Sequence, residues 1–197
     1  MRMRERVGIF AVIVFLGVSL CASAGLALSA DTSAMTGWYG TSHFNSGDGL
    51  VVDMDYAVYK PGTYVGVAVP TNEYVYAYQV FQLSSSNLTW ATVGILEGSD
   101  AANAQTDAGY GVSGGKTPFL TYLSGNSFVT LFNPQLAVGQ HSVVLLFTSP
   151  NGPTTTDASV ADSGKSDQQL APTPLPEPAT LMLLGLGLAA IRRRRGV

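Results

Sequence analysis

Side chains able to do chemistry are sparse in this chain, and their spacing excludes more than it offers. The 197 residues hold two histidines, His43 and His141, and one cysteine, Cys21. A hydroxyl nucleophile needs a base beside it, and neither histidine shares a local motif with a Ser or an Asp. No H-x-H, H-E-x-x-H or cysteine set marks a metal site. Gly114-Gly115-Lys116-Thr117 matches only the end of a phosphate-binding loop. The glycine required five residues before Gly115 is Tyr110, and no strand-then-helix frame surrounds it.

Two patterns carry binding chemistry instead. Asp48, Asp53 and Asp55 cluster, and Asp53 and Asp55 share one face of a period-two segment. Carboxylates with loop carbonyls suit Ca²⁺, set against the plainer reading of a solvated polar face; no other cofactor is implied. Tyr74, Tyr76 and Tyr78 alternate with Val75, Ala77 and Gln79, so their rings share one face. Flat aromatics in a row would stack on sugars. Val80 continues the same face, which favours core packing over sugar binding.

The elements that must position these residues are strands. Leu50 to Tyr59 alternates with period two and reads as a half-buried strand. Thr63 to Val69 and Glu73 to Leu83, separated by Pro70-Thr71-Asn72, read as a hairpin. Leu88 to Leu96 is a further strand. Phe119 to Leu123 and Ser127 to Phe132 flank the turn Ser124-Gly125-Asn126. Gln140 to Thr148 is a buried strand by composition, and Gly37 to Phe44 and Thr154 to Val160 are weaker candidates. Asp100 to Thr117 lacks alternation and reads as a long loop. No segment of the central region shows a helical period. The expected fold is all-β: a β-sandwich, immunoglobulin-like or jelly-roll-like, over 31–150. Tyr56, Val58, Val80, Val93, Leu145 and Phe147 are expected between its sheets. A Pro/Ser/Asp-containing linker is expected over 151–175.

Charge is partitioned along the chain. Three Lys lie among eleven Asp and Glu between Asp31 and Asp167, a net of −8, whereas the Arg residues sit at the two ends. An acidic central domain does not bind nucleic acid through charge.

Both ends read as addresses. Residues 1–30 combine Arg2, Arg4 and Arg6, an apolar stretch from Val7 to Leu20, and small residues around Ala22-Ser23-Ala24. This is the pattern of a secretory signal peptide, cleaved after Ala24 or Ala30. Either cut removes Cys21 and leaves a mature chain without cysteine. At the other end, Pro occupies every second position from Pro172 to Pro178 and predicts a stiff, polyproline-II-like stalk. An uncharged apolar segment, 179–191, then precedes Arg192, Arg193, Arg194 and Arg195. As a helix it would be about 20 Å long at ~1.5 Å per residue, short for a ~30 Å hydrocarbon core. The Arg cluster belongs on the cytoplasmic side.

Pro176-Glu177-Pro178-Ala179-Thr180, the stretch Leu181 to Ile191 and Arg192 to Arg195 together resemble the PEP-CTERM protein-sorting signal of Gram-negative bacteria, over 176–197. The resemblance implies Pro176, Glu177 and Pro178 as the sorting motif and exosortase, a membrane-embedded cysteine protease, as the processing partner. It further implies an exopolysaccharide-producing host. The Sec translocon and signal peptidase follow from the N-terminal segment.

The expected protein is an exported, non-enzymatic surface or matrix protein associated with exopolysaccharide or biofilm. Its precursor is anchored in the inner membrane with a periplasmic domain, and the product lies in the cell envelope or extracellular matrix. Its rivals are a carbohydrate-binding β-sandwich module and a secreted hydrolase built on His43, His141 and a carboxylate.

Overall fold

The computed structural model describes residues 26–84 and 86–176. Of the expected signal peptide, 1–30, only 26–30 are described, with Leu28 buried against the sandwich; the apolar segment 179–191 and the Arg cluster lie outside the described residues. Within them a 3-10 turn at Leu28–Ala30 precedes ten strands: β1 (Tyr39–Asn45), β2 (Val51–Tyr59), β3 (Tyr74–Gln82), β4 (Leu88–Gly94), β5 (Ala102–Asp107), β6 (Leu120–Ser124), β7 (Ser127–Leu136), β8 (Val144–Ser149), β9 (Pro153–Ala161) and β10 (Ser166–Pro174). They form two five-stranded antiparallel sheets, ordered β1-β2-β3-β8-β5 and β10-β9-β4-β7-β6. The fold is a β-sandwich.

Period-two patterning decides what faces inward. Val52, Met54 and Val58 of β2, Tyr76, Tyr78 and Val80 of β3, and Leu145 and Phe147 of β8 meet Ala91, Val93, Phe128, Phe132, Ala158 and Val160 of the second sheet in one buried cluster. Tyr56 packs against it, half-buried. The expected core residues therefore lie where their alternation put them. The second hairpin also forms as read: Ser124 pairs with Ser127, and Gly125 takes the positive φ of 53° that the tight turn requires.

A second core covers the outer face of the first sheet. Ala57 and Tyr59 of β2, Val75 and Ala77 of β3, and Val144 and Leu146 of β8 pack there with Leu28, Ala34 and Tyr64. This corrects the expected hairpin of Thr63 to Val69 with Glu73 to Leu83. β3 pairs with β2 instead, and 60–73 lies over the sheet. Its alternation is real but is used in packing: Tyr64, Val67 and Val69 all turn to that second core. Gly66 permits the approach. A Cβ there would strike the Asp107 carboxylate and come within 2.6 Å of Tyr64 Cζ.

The expected linker over 151–175 is also corrected. Those residues form β9 and β10, so the ectodomain runs to Pro174. The Pro spacing explains why the stalk reading failed. β10 is an edge strand, and the Leu175 N–H donates back to Gly152 O at 2.8 Å. By alternation the even positions point away from β9, so Pro172 and Pro174 lack only donors that the ladder does not use. The outward carbonyls are satisfied from the first sheet, by Ser42 Oγ on Leu170 O and Tyr78 OH on Pro172 O, each at 2.5 Å. The expected loop Asp100 to Thr117 likewise contains β5. Its register against β8 shifts between Ala102 and Gln105, and this irregularity hides the alternation.

Candidate functional site

The most concentrated polar chemistry lies over the outer face of the first sheet, and the sequence reading missed it. Asp31 follows the 3-10 turn and is buried. Its Oδ2 accepts from Tyr59 OH and from Tyr110 OH, each at 2.6 Å, and its Oδ1 accepts from Ser33 N and Ser33 Oγ. Asp107, at the end of β5, accepts from Tyr64 OH and Val67 N at Oδ2 and from Gly109 N at Oδ1, all at 2.8 Å. The three rings pack edge-on or tilted, with Tyr64 centroids 5.0 Å from Tyr59 and 4.9 Å from Tyr110. Residues 31, 59, 64, 107 and 110 are far apart in sequence, so no local motif announces them.

Burial by itself would raise the Asp31 carboxyl. The hydrogen bonds from Tyr110, Tyr59 and Ser33 outweigh it and hold the group below the usual carboxylate range. Burial first, and then the neighbouring carboxylates, push the Tyr59 and Tyr64 phenols well above their ordinary range. Tyr110 is raised for the same reasons, burial leading. These phenols stay protonated and donate. Every oxygen of both carboxylates is already an acceptor within the chain, so the cluster fastens the N-terminal segment, loop 60–73 and β5 onto one sheet. A cleft of about 260 Å³ opens on the cluster, lined by Leu26, Asp31, Gly109, Tyr110 and Gly111.

The tyrosine ladder is core. Tyr76 and Tyr78 are 0% and 1% exposed between the sheets, stacked on Phe147 at centroid distances of 5.1 and 6.0 Å. Burial raises both phenols. Tyr74 is half-buried against the same core. As a sugar-stacking surface Tyr74, Tyr76 and Tyr78 are thus overturned, because the face they share points into the sandwich.

The acidic cluster is dispersed. Asp53 pairs with His43 Nδ1 at 2.6 Å, Asp55 accepts from Ser29 Oγ and Thr41 Oγ1, and Asp48 caps its own turn through Ser46. Among the described residues no three His, Cys, Asp or Glu side chains gather as metal ligands. The shared face of Asp53 and Asp55 is spent on His43 and Thr41 of β1 and on Ser29 of the 3-10 turn, which corrects the Ca²⁺ expectation. His141 meets Gln79 Nε2 at 3.4 Å and Ser142 O at 3.0 Å. It shares no partner with His43. Lys116 Nζ donates to Gln135 O, and the strand β6 follows it, not a helix.

At the C-terminal end Thr173 is fully buried and donates to Gly94 O at 2.8 Å. Leu175 is still hydrogen-bonded, and Pro176 comes next. Of the sorting motif, Pro176 is described; Glu177, Pro178 and Arg192 to Arg195 lie outside the described residues. No spacer separates the sandwich from the motif.

Residues 174–195 match the family model of the PEP-CTERM protein-sorting motif. No curated protein and no solved structure matches the chain. The chain therefore carries a PEP-CTERM sorting signal. It is exported, its precursor is anchored at the membrane, and exosortase is the partner that processes it.

Proposed function

We propose that the sandwich is the cargo of this signal: a non-enzymatic protein of the envelope or extracellular matrix of a Gram-negative bacterium, associated with its exopolysaccharide. The observation that carries this reading is the continuity of β10 with the motif. Ala171 to Pro174 are buried strand residues, so a cut at the motif releases the whole sandwich with every core strand intact. Both histidines serve as ordinary hydrogen-bond partners, which suits binding or structural work better than hydrolysis.

The Sec translocon delivers the chain, and signal peptidase cuts after Ala24 rather than Ala30. Leu28 is 0% exposed in the outer core, and Ser29 Oγ donates to Asp55 at 2.8 Å. Cleavage after Ala30 would remove both. The segment 179–191 then holds the precursor in the inner membrane, with the Arg cluster cytoplasmic.

Fractionation of the native host, with and without a working exosortase, tests this reading. The expected result is a processed form in the matrix or envelope of the first strain and a full-length membrane form in the second. Recovery of the processed form in the cytoplasm would sink it.

A further inference from the structure

The outer face of the second sheet has the wrong composition for a solvent face. In an antiparallel sandwich the outward positions are ordinarily polar. Here Trp90 lies opposite Leu131, and Leu131 opposite Leu120. One row along, Thr92 lies opposite Val129, and Val129 opposite Tyr122. Alternation fixes the direction. Ala91, Val93, Phe128, Thr130 and Phe132 are buried inward and Leu123 packs on that inner core, so their neighbours point out. Five apolar side chains thus occupy two adjacent rows of β4, β7 and β6, and none belongs to either core. Leu120 is 45% exposed, and Phe119, just before β6, is 69% exposed. Trp90, Tyr122, Val129 and Leu131 are half-buried beside them, and an apolar patch of this kind on an outer face marks an interaction site.

The rest of these rows says what covers it. Thr92 continues into Ser159 and Gln168 across β9 and β10. The two rows contain no Lys, Arg, Asp or Glu, in a domain whose central charge is −8. These two rows therefore join flat rings bearing a polar edge to hydroxyl and amide side chains, without charge; the nearest acid on the face, Asp157, lies one row beyond Ser159. A pyranose presents the complement: an apolar C–H face with a rim of hydroxyls. A second copy of the chain would favour a more uniformly apolar centre. Trp90 and Tyr122 lie two strands and one row apart, about 12 Å from sheet spacings. That separation suits an extended chain rather than a single sugar.

We propose that this face binds an uncharged polysaccharide, with Trp90 and Tyr122 as stacking platforms and Thr92, Ser159 and Gln168 as hydrogen-bonding partners. The proposal rests on the exopolysaccharide association above and gives that association a surface.

The test uses the processed protein purified from its host, electrophoresed through gels containing dextran, hydroxyethylcellulose, galactomannan, alginate or the host's own polysaccharide. Tryptophan emission is followed in parallel titrations. At least one neutral polymer should retard the protein and shift its emission, with little change at high salt. Trp90→Ala and, on the edge strand, Tyr122→Ala should each weaken retardation tenfold or more while keeping the wild-type circular dichroism spectrum. Trp38→Phe, on the inner core, should leave it unchanged. Retardation by no neutral polymer, retardation by alginate alone, or retardation indifferent to both substitutions would overturn the proposal. So would a concentration-dependent dimer that Trp90→Ala dissolves without any glycan response. None of these outcomes touches the fractionation result, so this proposal and the sorting reading fail separately.

Discussion

The hydroxyl of Tyr59, the last residue of β2, donates to the carboxylate of Asp31 at 2.6 Å in a buried setting. This bond ties the segment around the 3-10 turn to the end of β2 in the first sheet. Tyr110 donates to the same oxygen, so three distant segments depend on one charge.

Stability should therefore form a plateau bounded on both sides. Asp31 has a lowered pKa in the folded state. Its contribution is present above the ordinary carboxylate value near ~3.9 and is lost as pH falls through the folded value. Tyr59, Tyr64 and Tyr110 have raised values. Their contribution is full below the ordinary phenol value near ~10 and is lost as pH rises beyond it, since only the unfolded chain then gives up the protons. Denaturation midpoints of the processed protein across pH should fall at both ends. In Asp31→Asn the protein should lose about 1.5–3 kcal/mol at neutral pH, the range for a hydrogen bond to a charged group. Its acid limb should also flatten.

The mature N-terminus is expected at Gly25. Mass spectrometry of the processed protein checks this, and a terminus at Asp31 would contradict it. A precursor lacking 25–30 should yield a protein about 2–5 kcal/mol less stable, the usual cost of emptying a buried Leu site, because Leu28 is fully buried.

Gly66→Ala should destabilise by about 1–3 kcal/mol through overpacking. The new methyl would meet Asp107 and Tyr64, whose polar atoms are already bonded to each other. Gly37→Ala is not a suitable control, since Gly37 has a φ of 83°. Gly164→Ala is one: a Cβ at Gly164 meets nothing within 4 Å, and it should be close to neutral. Equal losses in the two variants would count against a special role for Gly66.

Glu177→Ala tests the sorting signal without disturbing any described contact. Its carboxylate is expected to meet a basic pocket on the processing enzyme. In a host that carries exosortase the unprocessed membrane form should accumulate, read by immunoblot. Wild-type processing would show that Glu177 is only part of a tether.

The strands β2, β4, β7 and β8 carry alternation or apolar runs that period-two geometry translates directly into an inner face. The same alternation misled for Thr63 to Val69, because a chain lying side-on over a sheet also exposes every second residue to it. The Pro spacing of 172–178 misled for a related reason. Regular removal of alternate N–H groups suits a solvated stalk and an edge strand equally, and only β9 alongside decides between them.

The sequence alone determined the C-terminal sorting signal and the inward faces. A Pro-Glu-Pro motif with its Arg cluster and strand alternation are both local, since each is recognised or folded through neighbours a few residues apart. The tertiary structure decided what the polar and aromatic residues do. It buried Tyr76 and Tyr78, spent Asp53 and Asp55 on β1 partners, drew Asp31, Tyr59 and Tyr110 into one network, and left Trp90 and Tyr122 outside. Those outcomes depend on which strand lies beside which and on what covers each sheet face. Such pairings join residues tens of positions apart, and no spacing along the chain encodes them.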